Sequence, residues 1–382
     1  MGATLSSGAL LVTRVSGSEA LSGMAATMTT VGAALAAIPL AALAARAGRA
    51  PALATGALTA AVGAALGLLA AVLNLLPLLL VALVLIGVAT AVNLQSRFAS
   101  ADLSEPGRRG RDISIVVWAT TVGAVAGPNL ITPADAFGRS LGLPALSGPF
   151  LFTIVAQLIA GAIYLGGLRP DPLTLATRLG AERAASAGVA VSQADPSGVR
   201  TGILSTSLSH AAMVAIMSMT PVHLVDGGAT LVIVGLTISL HIAGMYGLSP
   251  VFGLLADRLG REATIALGQV LLLAALLTTS FGADQPSAVM VGLILLGLGW
   301  SAATIGGSAL IAQSVDPQHR TRTQGRADLI MSATGALGGA SAGAVLAVIG
   351  YSGLALVAIV LVVVVLLALG LRTAQRRTGA AA

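Results

Sequence analysis

Long apolar stretches recur along the whole chain and constrain its fold more than any other feature. A helix needs about 20 apolar residues to cross the hydrocarbon core of a bilayer. Eleven runs have that length, so we predict an all-α polytopic membrane protein. A shorter apolar piece, Gly2 to Thr13, precedes them. The predicted limits of the spans are 21–45, 51–73, 75–96, 113–133, 147–167, 203–224, 229–255, 263–283, 287–313, 327–349 and 351–371.

The composition agrees with lipid as the surrounding solvent. Hydrophobic residues make up 56% of the 382 positions and charged residues only 9%, against about 25% charged in an average soluble domain. So few charges cannot cover the surface of a water-soluble protein of this size, which excludes a soluble enzyme. Cysteine is absent, and neither a phosphate-binding loop nor a metal-binding His-Glu-x-x-His motif is found. We therefore expect no catalytic residues, no metal and no cofactor.

Arginine clusters alternate along the series of spans. The net charge of +6 comes without any lysine, and the arginines lie in short loops rather than in a nucleic-acid-binding patch. Short cytoplasmic loops collect positive charge, so we predict that the loops with these clusters lie on the cytoplasmic side. The C-terminus is then cytoplasmic, and the expected location is the plasma (inner) membrane. Only Arg14 and Arg139 fall in the alternate loops. The inner clusters are Arg46 and Arg49; Arg97, Arg108, Arg109 and Arg111; Arg169, Arg178, Arg183 and Arg200; Arg258 and Arg261; Arg320, Arg322 and Arg326; and Arg372, Arg376 and Arg377.

An internal repeat divides the chain into two halves. The segment LAARAGRAPAL from Leu43 matches LADRLGREATI from Leu255 at an offset of 212 residues, and the basic loops near Arg108 and Arg320 match at the same offset. A parallel duplication follows, with halves 1–167 and 203–382 joined by a polar cytoplasmic linker, 168–202. The span that begins at 203 should have a counterpart 212 residues earlier, and the start of that counterpart would precede Met1. We therefore expect a truncated first helix, giving eleven full spans plus a fragment; the alternative is a re-entrant or interfacial N-terminal piece.

Two six-span halves in parallel repeat resemble the major facilitator superfamily of secondary transporters. GLLADRLGR, from Gly253 to Arg261, is similar to that family's G-x-L-a-D-R-x-G-R loop between the second and third spans of a half. AALAARAGR, from Ala41 to Arg49, is the equivalent in the first half, with Ala41 in place of Gly and Ala45 in place of Asp. The resemblance implies that this loop holds an inner gate shut in one conformation; alternatively, its arginines only set the topology. The implied gate residues are Gly253, Asp257, Arg258, Gly260 and Arg261, with Arg46, Gly48 and Arg49 in the first half.

The segment GAVAGPNLI, from Gly123 to Ile131, resembles the G-x-x-x-G-P motif of the drug and proton antiporter branch. The resemblance implies that Gly123 and Gly127 allow two helices to touch and that Pro128 bends the backbone. The following Gly-Gly of that motif is absent, and so is the arginine deep in the fourth span. Helix packing alone is the alternative explanation of these glycines.

Histidines inside spans are the first candidates for cargo binding, because ionisable groups are costly in a membrane. His241 lies about twelve residues into its span, near the bilayer midplane, and His210 about 10 Å from the inner end of its span. Between Ser239 and Gly253, glycines and Pro250 predict a discontinuous or bent helix in which Met245 and Tyr246 form an adaptable wall. The alternative is ordinary helix packing. The further candidates are Trp118, Asn129, Asn93 and Trp300.

These features predict a transporter that works by alternating access around a central site. We expect a monomer that exports small apolar or amphipathic molecules and has lipid, cargo and protons as its partners, with no nucleic acid. A histidine, a carboxylate near a span end such as Asp328, or a group in the missing part of the first span would carry a coupled proton. Uptake of a small polar nutrient is one alternative, and a non-transporting sensor or assembly protein of the same fold is another.

Overall fold

The computed structural model describes residues 2–18, 21, 24–105, 107–187, 195–316 and 319–379. About 89% of the described residues are helical, and none of them lies in a strand. The helices are α1 (Gly2–Ser16), α2 (Met24–Ala47), α3 (Arg49–Leu73), α4 (Leu76–Ala101), α5 (Arg109–Asn129), α6 (Ile131–Ser140), α7 (Gly148–Gly167), α8 (Pro172–Ala187), α9 (Pro196–Asp226), α10 (Leu231–Tyr246), α11 (Ser249–Arg258), α12 (Arg261–Phe281), α13 (Pro286–Ser314) and α14 (Arg320–Gly379).

Nine helical segments in the described ranges are long and apolar enough to cross a membrane. The expected count of eleven spans plus a fragment is not confirmed. The predicted spans at 327–349 and 351–371 fall in one 56-residue segment, Arg320–Gln375, because the chain turns only at Gly350, which has a φ of 71°. The predicted span at 113–133 is divided, since α5 ends at Asn129 and α6 begins two residues later. Helix α1 has only 15 residues.

The chain forms two compact units that do not follow a single cut in the sequence. The N-terminal unit contains Met1–Leu103, Val122–Val189 and Thr321–Leu329. The C-terminal unit contains Ser104–Thr121, Ala190–Arg320 and Ile330–Ala382. The first turns of α5 therefore belong to the C-terminal unit, and the first turns of α14 belong to the N-terminal unit.

Glycines bring helix backbones into direct contact within the N-terminal unit. A Cβ atom on Gly32 of α2 would overlap the backbone of Val84, and one on Gly87 of α4 would overlap that of Thr29. Small residues allow such approach between membrane helices, whose packing is not driven by the hydrophobic effect in lipid. Helix α3 packs against α4 and α7. The apolar core of this unit contains Leu11, Leu79, Leu83, Ile86 and Phe150 in one cluster, and Leu40, Leu53, Val88 and Val92 in another.

The C-terminal unit repeats this arrangement. A Cβ atom on Gly244 of α10 would lie 2.9 Å from the carbonyl oxygen of Ile294 in α13, and Gly297 of α13 faces the backbone of His241. Gly32 and Gly244 are separated by the 212-residue offset of the repeat. The predicted interruption between Ser239 and Gly253 is confirmed, because α10 ends at Tyr246 and α11 begins at Ser249.

Candidate gate and substrate site

Asp257, in the loop motif of the C-terminal unit, binds the first turn of α5. Its Oδ1 accepts a hydrogen bond from the backbone N–H of Gly110 at 2.9 Å, and its Oδ2 accepts one from Arg111 at 2.8 Å. The guanidinium of Arg261 lies 3.6 Å from Oδ1. The first N–H groups of a helix have no partner within the helix and carry partial positive charge. A carboxylate at this position typically stabilises the contact by about 0.3–1 kcal/mol, and by up to about 2 kcal/mol where it is partly buried.

Two glycines make this contact sterically possible. A Cβ atom on Gly110 would lie 2.6 Å from the carbonyl oxygen of Gly253, and one on Gly253 would lie 2.6 Å from the carbonyl oxygen of Gly110. Ser249 adds a hydrogen bond from its Oγ to the carbonyl oxygen of Ser114 at 3.1 Å. Any side chain at either glycine would separate the first turn of α5 from Asp257.

In the N-terminal unit, where Ala45 replaces the aspartate, Arg49 makes the corresponding contact with a helix. Its guanidinium donates to the two carboxylate oxygens of Asp102 at 2.7 and 3.3 Å and to the Oε1 of Gln324 at 2.6 Å. Arg49 is 1% exposed. Gly325 packs directly against Ala41, the position equivalent to Gly253. The start of α14 is therefore held by Arg49, whose side chain donates hydrogen bonds. The first turn of α5 is held by Asp257, whose side chain accepts them.

A second buried ion pair lies in the same unit. Arg97 of α4 donates from Nη2 to the Oδ1 of Asp328 in α14 at 2.7 Å, and the two residues are 3% and 0% exposed. Gln324 and Asp328 are one turn apart on α14. The Oδ2 of Asp328 has no hydrogen-bond partner in the part of the chain that the structure describes. These two contacts thus pair two buried arginines with two buried aspartates in the N-terminal unit.

The turns before α3 and α12 share a backbone conformation that favours glycine. Gly48 has a φ of 95° and Gly260 a φ of 99°. Their surroundings differ, because the Asp171 carboxylate accepts from the backbone N–H of Ala50 at 2.7 Å and fills the space beside Gly48. A Cβ atom on Gly260 would meet no atom within 4 Å in the described part of the chain. Asp171 thereby ties the start of the linker to the N-terminus of α3.

Three rings from three helices meet in the C-terminal unit. The indole N–H of Trp300 in α13 donates to the Nδ1 of His210 in α9 at 3.1 Å. Tyr246, the last residue of α10, meets the Trp300 ring edge to face, with ring centres 5.8 Å apart. Gly335 of α14 lies against the imidazole, since a Cβ atom there would be 2.5 Å from its Cδ2. Because an indole N–H only donates, Nδ1 must accept, so the imidazole is neutral with its proton on Nε2.

Two of these three rings, those of His210 and Trp300, lie near the middle of their helices. His210 is about 21 Å from the start of α9 at 1.5 Å per residue, in a helix of 31 residues. Helix α9 begins at Pro196, after the Asp195 cap, and so extends seven residues beyond the start of the predicted span at 203. Trp300 is the fifteenth of the 29 residues of α13. Tyr246 lies at the break between α10 and α11.

Comparison with known proteins agrees with the family resemblance drawn from the sequence. Residues 1–227 and 202–381 match the Major Facilitator Superfamily. The MFS-type transporter YddS of Bacillus subtilis (strain 168), described as uncharacterized, is 39% identical over 359 residues, which cover 92% of this chain and 82% of that protein. The chain is a member of the major facilitator superfamily.

Two further proteins extend the comparison of this superfamily member. The riboflavin transporter RfnT of Brucella anthropi is 29% identical over 386 residues, which cover 99% of this chain and 92% of that protein. The human organic anion transporter MFSD10 has the same fold, with a TM-score of 0.72 and 17% identity over 96% of this chain and 89% of MFSD10. Together with the apolar helices, these relatives establish a multi-pass membrane protein whose class of activity is membrane transport.

His241 and Met245 of this superfamily member lie inside a helix contact. His241 is 0% exposed, and its Nδ1 is 2.8 Å from the carbonyl oxygen of Leu293. Its Nε2 has no partner among the described residues. Met245 is 7% exposed, with its backbone against Gly297. Both residues therefore pack α10 against α13, which differs from the expectation that they line a cavity.

Trp118, Asn93 and Asn129 are all exposed. Trp118, with 46% of its surface exposed, belongs to the C-terminal unit, and the two asparagines belong to the N-terminal unit. Of the eight residues proposed to bind cargo, the structure joins His210, Tyr246 and Trp300 directly.

The glycines of the antiporter-like motif differ in their surroundings. A Cβ atom on Gly123 would meet no atom within 4 Å among the described residues, so this glycine does not bring two helices into contact as expected. Gly127 is buried. The side chain of Pro128 lies outside the described residues, so the expected bend is not assessed there. Arg46 and Arg258 are exposed at the ends of α2 and α11, as a role in topology alone requires.

Asp102 and Gln324 were not predicted as functional residues from the sequence, and Arg97 was not paired with Asp328. One signal was available, because Gln324 and Asp328 are four residues apart and so share a face of α14. No group of three or more metal-ligating side chains occurs among the residues that the structure describes.

Proposed function

We propose that this protein is a secondary active transporter that exports small, neutral, apolar or amphipathic molecules across the plasma membrane in exchange for protons. It works by alternating access between the sequence halves 1–167 and 203–382, as a monomer with its C-terminus in the cytoplasm. The antiporter-like segment from Gly123 to Ile131 supports export.

The pairing of buried charges carries the proposal on cargo. Among the described residues, every buried arginine, aspartate or glutamate has an oppositely charged partner. An isolated buried charge costs several kcal/mol, so an ionised cargo would need a counter-charge that is already engaged. A neutral cargo needs none. The pairs are Arg49 with Asp102, Arg97 with Asp328, Arg139 with Asp135, and Arg372 with Asp195 and Glu262.

The loop contacts support the gating part of the proposal. Asp257 holds the first turn of α5 through two hydrogen bonds, and Arg49 holds the start of α14 through one, to Gln324. Hydrogen bonds of this kind contribute about 1.5–3 kcal/mol each when one partner is charged. A conformational equilibrium of a few kcal/mol can be shifted by making or breaking such contacts.

Asp328 is the residue that we propose to carry the coupled proton. It is fully buried, one oxygen is bonded to Arg97, and the other has no partner in the described ranges. Protonation of this carboxylate would weaken its attraction to Arg97 and release the contact between α4 and α14. Proton entry and the movement of these helices would then be linked.

Membrane vesicles test the direction and the coupling. With an acidic lumen, inside-out vesicles should accumulate labelled chloramphenicol or riboflavin, and they should lose the accumulation when the pH gradient is collapsed. Accumulation only in right-side-out vesicles with an acidic exterior would instead indicate uptake. Failure to move any member of a broad panel would favour the non-transporting alternative.

A matched pair of variants tests the role of Asp328. Asp328→Asn should abolish accumulation driven by the gradient while exchange of labelled for unlabelled cargo continues. Asp284→Asn removes an exposed carboxylate and should change neither activity. Accumulation that persists in Asp328→Asn would refute the assignment of the proton to this residue.

A further inference from the structure

The ring cluster of His210, Tyr246 and Trp300 assigns a chemical class to the cargo. We propose that this cluster is the recognition surface for a planar heteroaromatic molecule, a proposal that rests on the transport function above. His210 and Tyr246 provide the contact surface and Trp300 positions both rings.

The exposures of the three rings distinguish their roles. Trp300 is only 5% exposed, whereas His210 and Tyr246 are half-buried. Trp300 contacts both of the other rings, through a hydrogen bond to His210 and an edge-to-face contact with Tyr246. A rigid platform results, in which the buried indole fixes the orientation of two rings that still present surface.

The location of the cluster favours a binding role over ordinary packing. Transporter sites lie near the bilayer midplane and are often formed where a helix is discontinuous. His210 and Trp300 lie near the middle of their helices, Gly335 lies midway along the part of α14 before Gly350, and Tyr246 immediately precedes the break between α10 and α11. Four helices of the C-terminal unit thus place a ring or a glycine at the same point.

The chemistry of the platform favours flat aromatic cargo. Aromatic rings prefer offset stacking or edge-to-face contact with other aromatic rings, and these contacts contribute beyond simple area burial. The imidazole is neutral because its Nδ1 accepts from the indole, so the three rings carry no fixed charge. A saturated molecule of similar size would bury apolar area here without the ring-to-ring contacts.

Tryptophan fluorescence tests the proposal directly. The chain has two tryptophans, so Trp118→Phe leaves Trp300 as the only one and serves as the background for every measurement. Acridine at a pH where it is uncharged is the planar probe, and 1-adamantanecarboxamide is the saturated competitor. We expect saturable quenching of Trp300 by acridine that the saturated competitor does not reverse.

Substitutions at Tyr246 separate the ring from its bulk. Tyr246→Leu should raise the Kd for acridine about tenfold, which corresponds to about 1.4 kcal/mol, and Tyr246→Phe should leave it within about threefold. If Tyr246→Leu does not fold, Gly335→Ala provides a second test, because its methyl group would displace the His210 ring. Gly343→Ala is the matched control, since the nearest atom to its methyl group would be 4.0 Å away.

The outcomes distinguish this inference from the proposed function. An unchanged Kd in both Tyr246→Leu and Gly335→Ala, or equal competition by the saturated molecule, would overturn the aromatic site. If vesicles also transport 1-adamantanecarboxamide, the proposed transport function stands without the aromatic site. Saturable, Tyr246-dependent binding of acridine supports the site even where no cargo crosses the membrane, in which case only the transport function fails.

Discussion

Removing one member of the Arg97–Asp328 pair should destabilise the protein far more than removing both. The pair joins Nη2 to Oδ1 at 2.7 Å, and its members are 3% and 0% exposed. Breaking a buried ion pair leaves an uncompensated buried charge, at a cost of about 3–5 kcal/mol. Replacing both partners by apolar residues of similar volume is often neutral or stabilising. We therefore expect Arg97→Met and Asp328→Leu each to cost about 3–5 kcal/mol, and the double variant to stay close to the wild type.

Reversible unfolding in mixed detergent and dodecyl sulfate measures this cycle. The exposed pair of Arg108 and Glu105, 3.6 Å apart with 62% and 73% of the side chains exposed, provides the control. Glu105→Gln should cost at most about 1 kcal/mol, because solvent screens exposed pairs. Additive effects of the two buried substitutions, or a cost for Asp328→Leu no greater than that of the control, would refute the reasoning.

Two further predictions concern the loops. Asp257→Asn should weaken the contact with the first turn of α5 by about 1–2 kcal/mol. It should therefore accelerate maleimide labelling of an Ile113→Cys reporter, which is buried and is the only thiol because the chain has no cysteine. Unchanged labelling would contradict a role of Asp257 in holding this helix. Gly48→Ala and Gly260→Ala should each cost about 1–2 kcal/mol, because both glycines have a left-handed backbone conformation. Gly48→Ala should lower the Tm further, because its methyl group would overlap Asp171. An equal fall in Tm for the two variants would argue against the contact between Asp171 and α3.

Elements of the fold that depend on local pattern were predictable from the sequence. The apolar runs located most helices, and the 212-residue repeat located two loops with the same glycine turn, at Gly48 and Gly260. The break after Tyr246 was predictable from the glycines and Pro250 between Ser239 and Gly253, because these residues destabilise a continuous helix. Hydropathy alone missed the first turns of α9, because Asp195 and Pro196 begin the helix in polar sequence.

Partners that meet through tertiary packing were not predictable in this way. Arg97 and Asp328 are separated by 231 residues, and Arg49 and Gln324 by 275. Each of these side chains is costly to bury alone, which indicates that a partner exists but does not identify it. His241 illustrates the converse, because a histidine at a suitable depth lies inside a helix contact, where its Nδ1 meets a carbonyl oxygen.

The two copies of the loop should respond differently to substitutions in the helix that each one holds. Asp257 accepts from main-chain N–H groups, so Arg111→Ala leaves both hydrogen bonds in place and should leave stability within about 0.5 kcal/mol of the wild type. Arg49 donates to the side chain of Gln324, so Gln324→Ala removes a 2.6 Å bond to a buried cation and should cost about 1.5–3 kcal/mol. Unfolding measurements on the two alanine variants compare them directly. Equal losses would mean that Arg49 is held by Asp102 alone, and that the aspartate replaced by Ala45 has no functional substitute in the N-terminal unit.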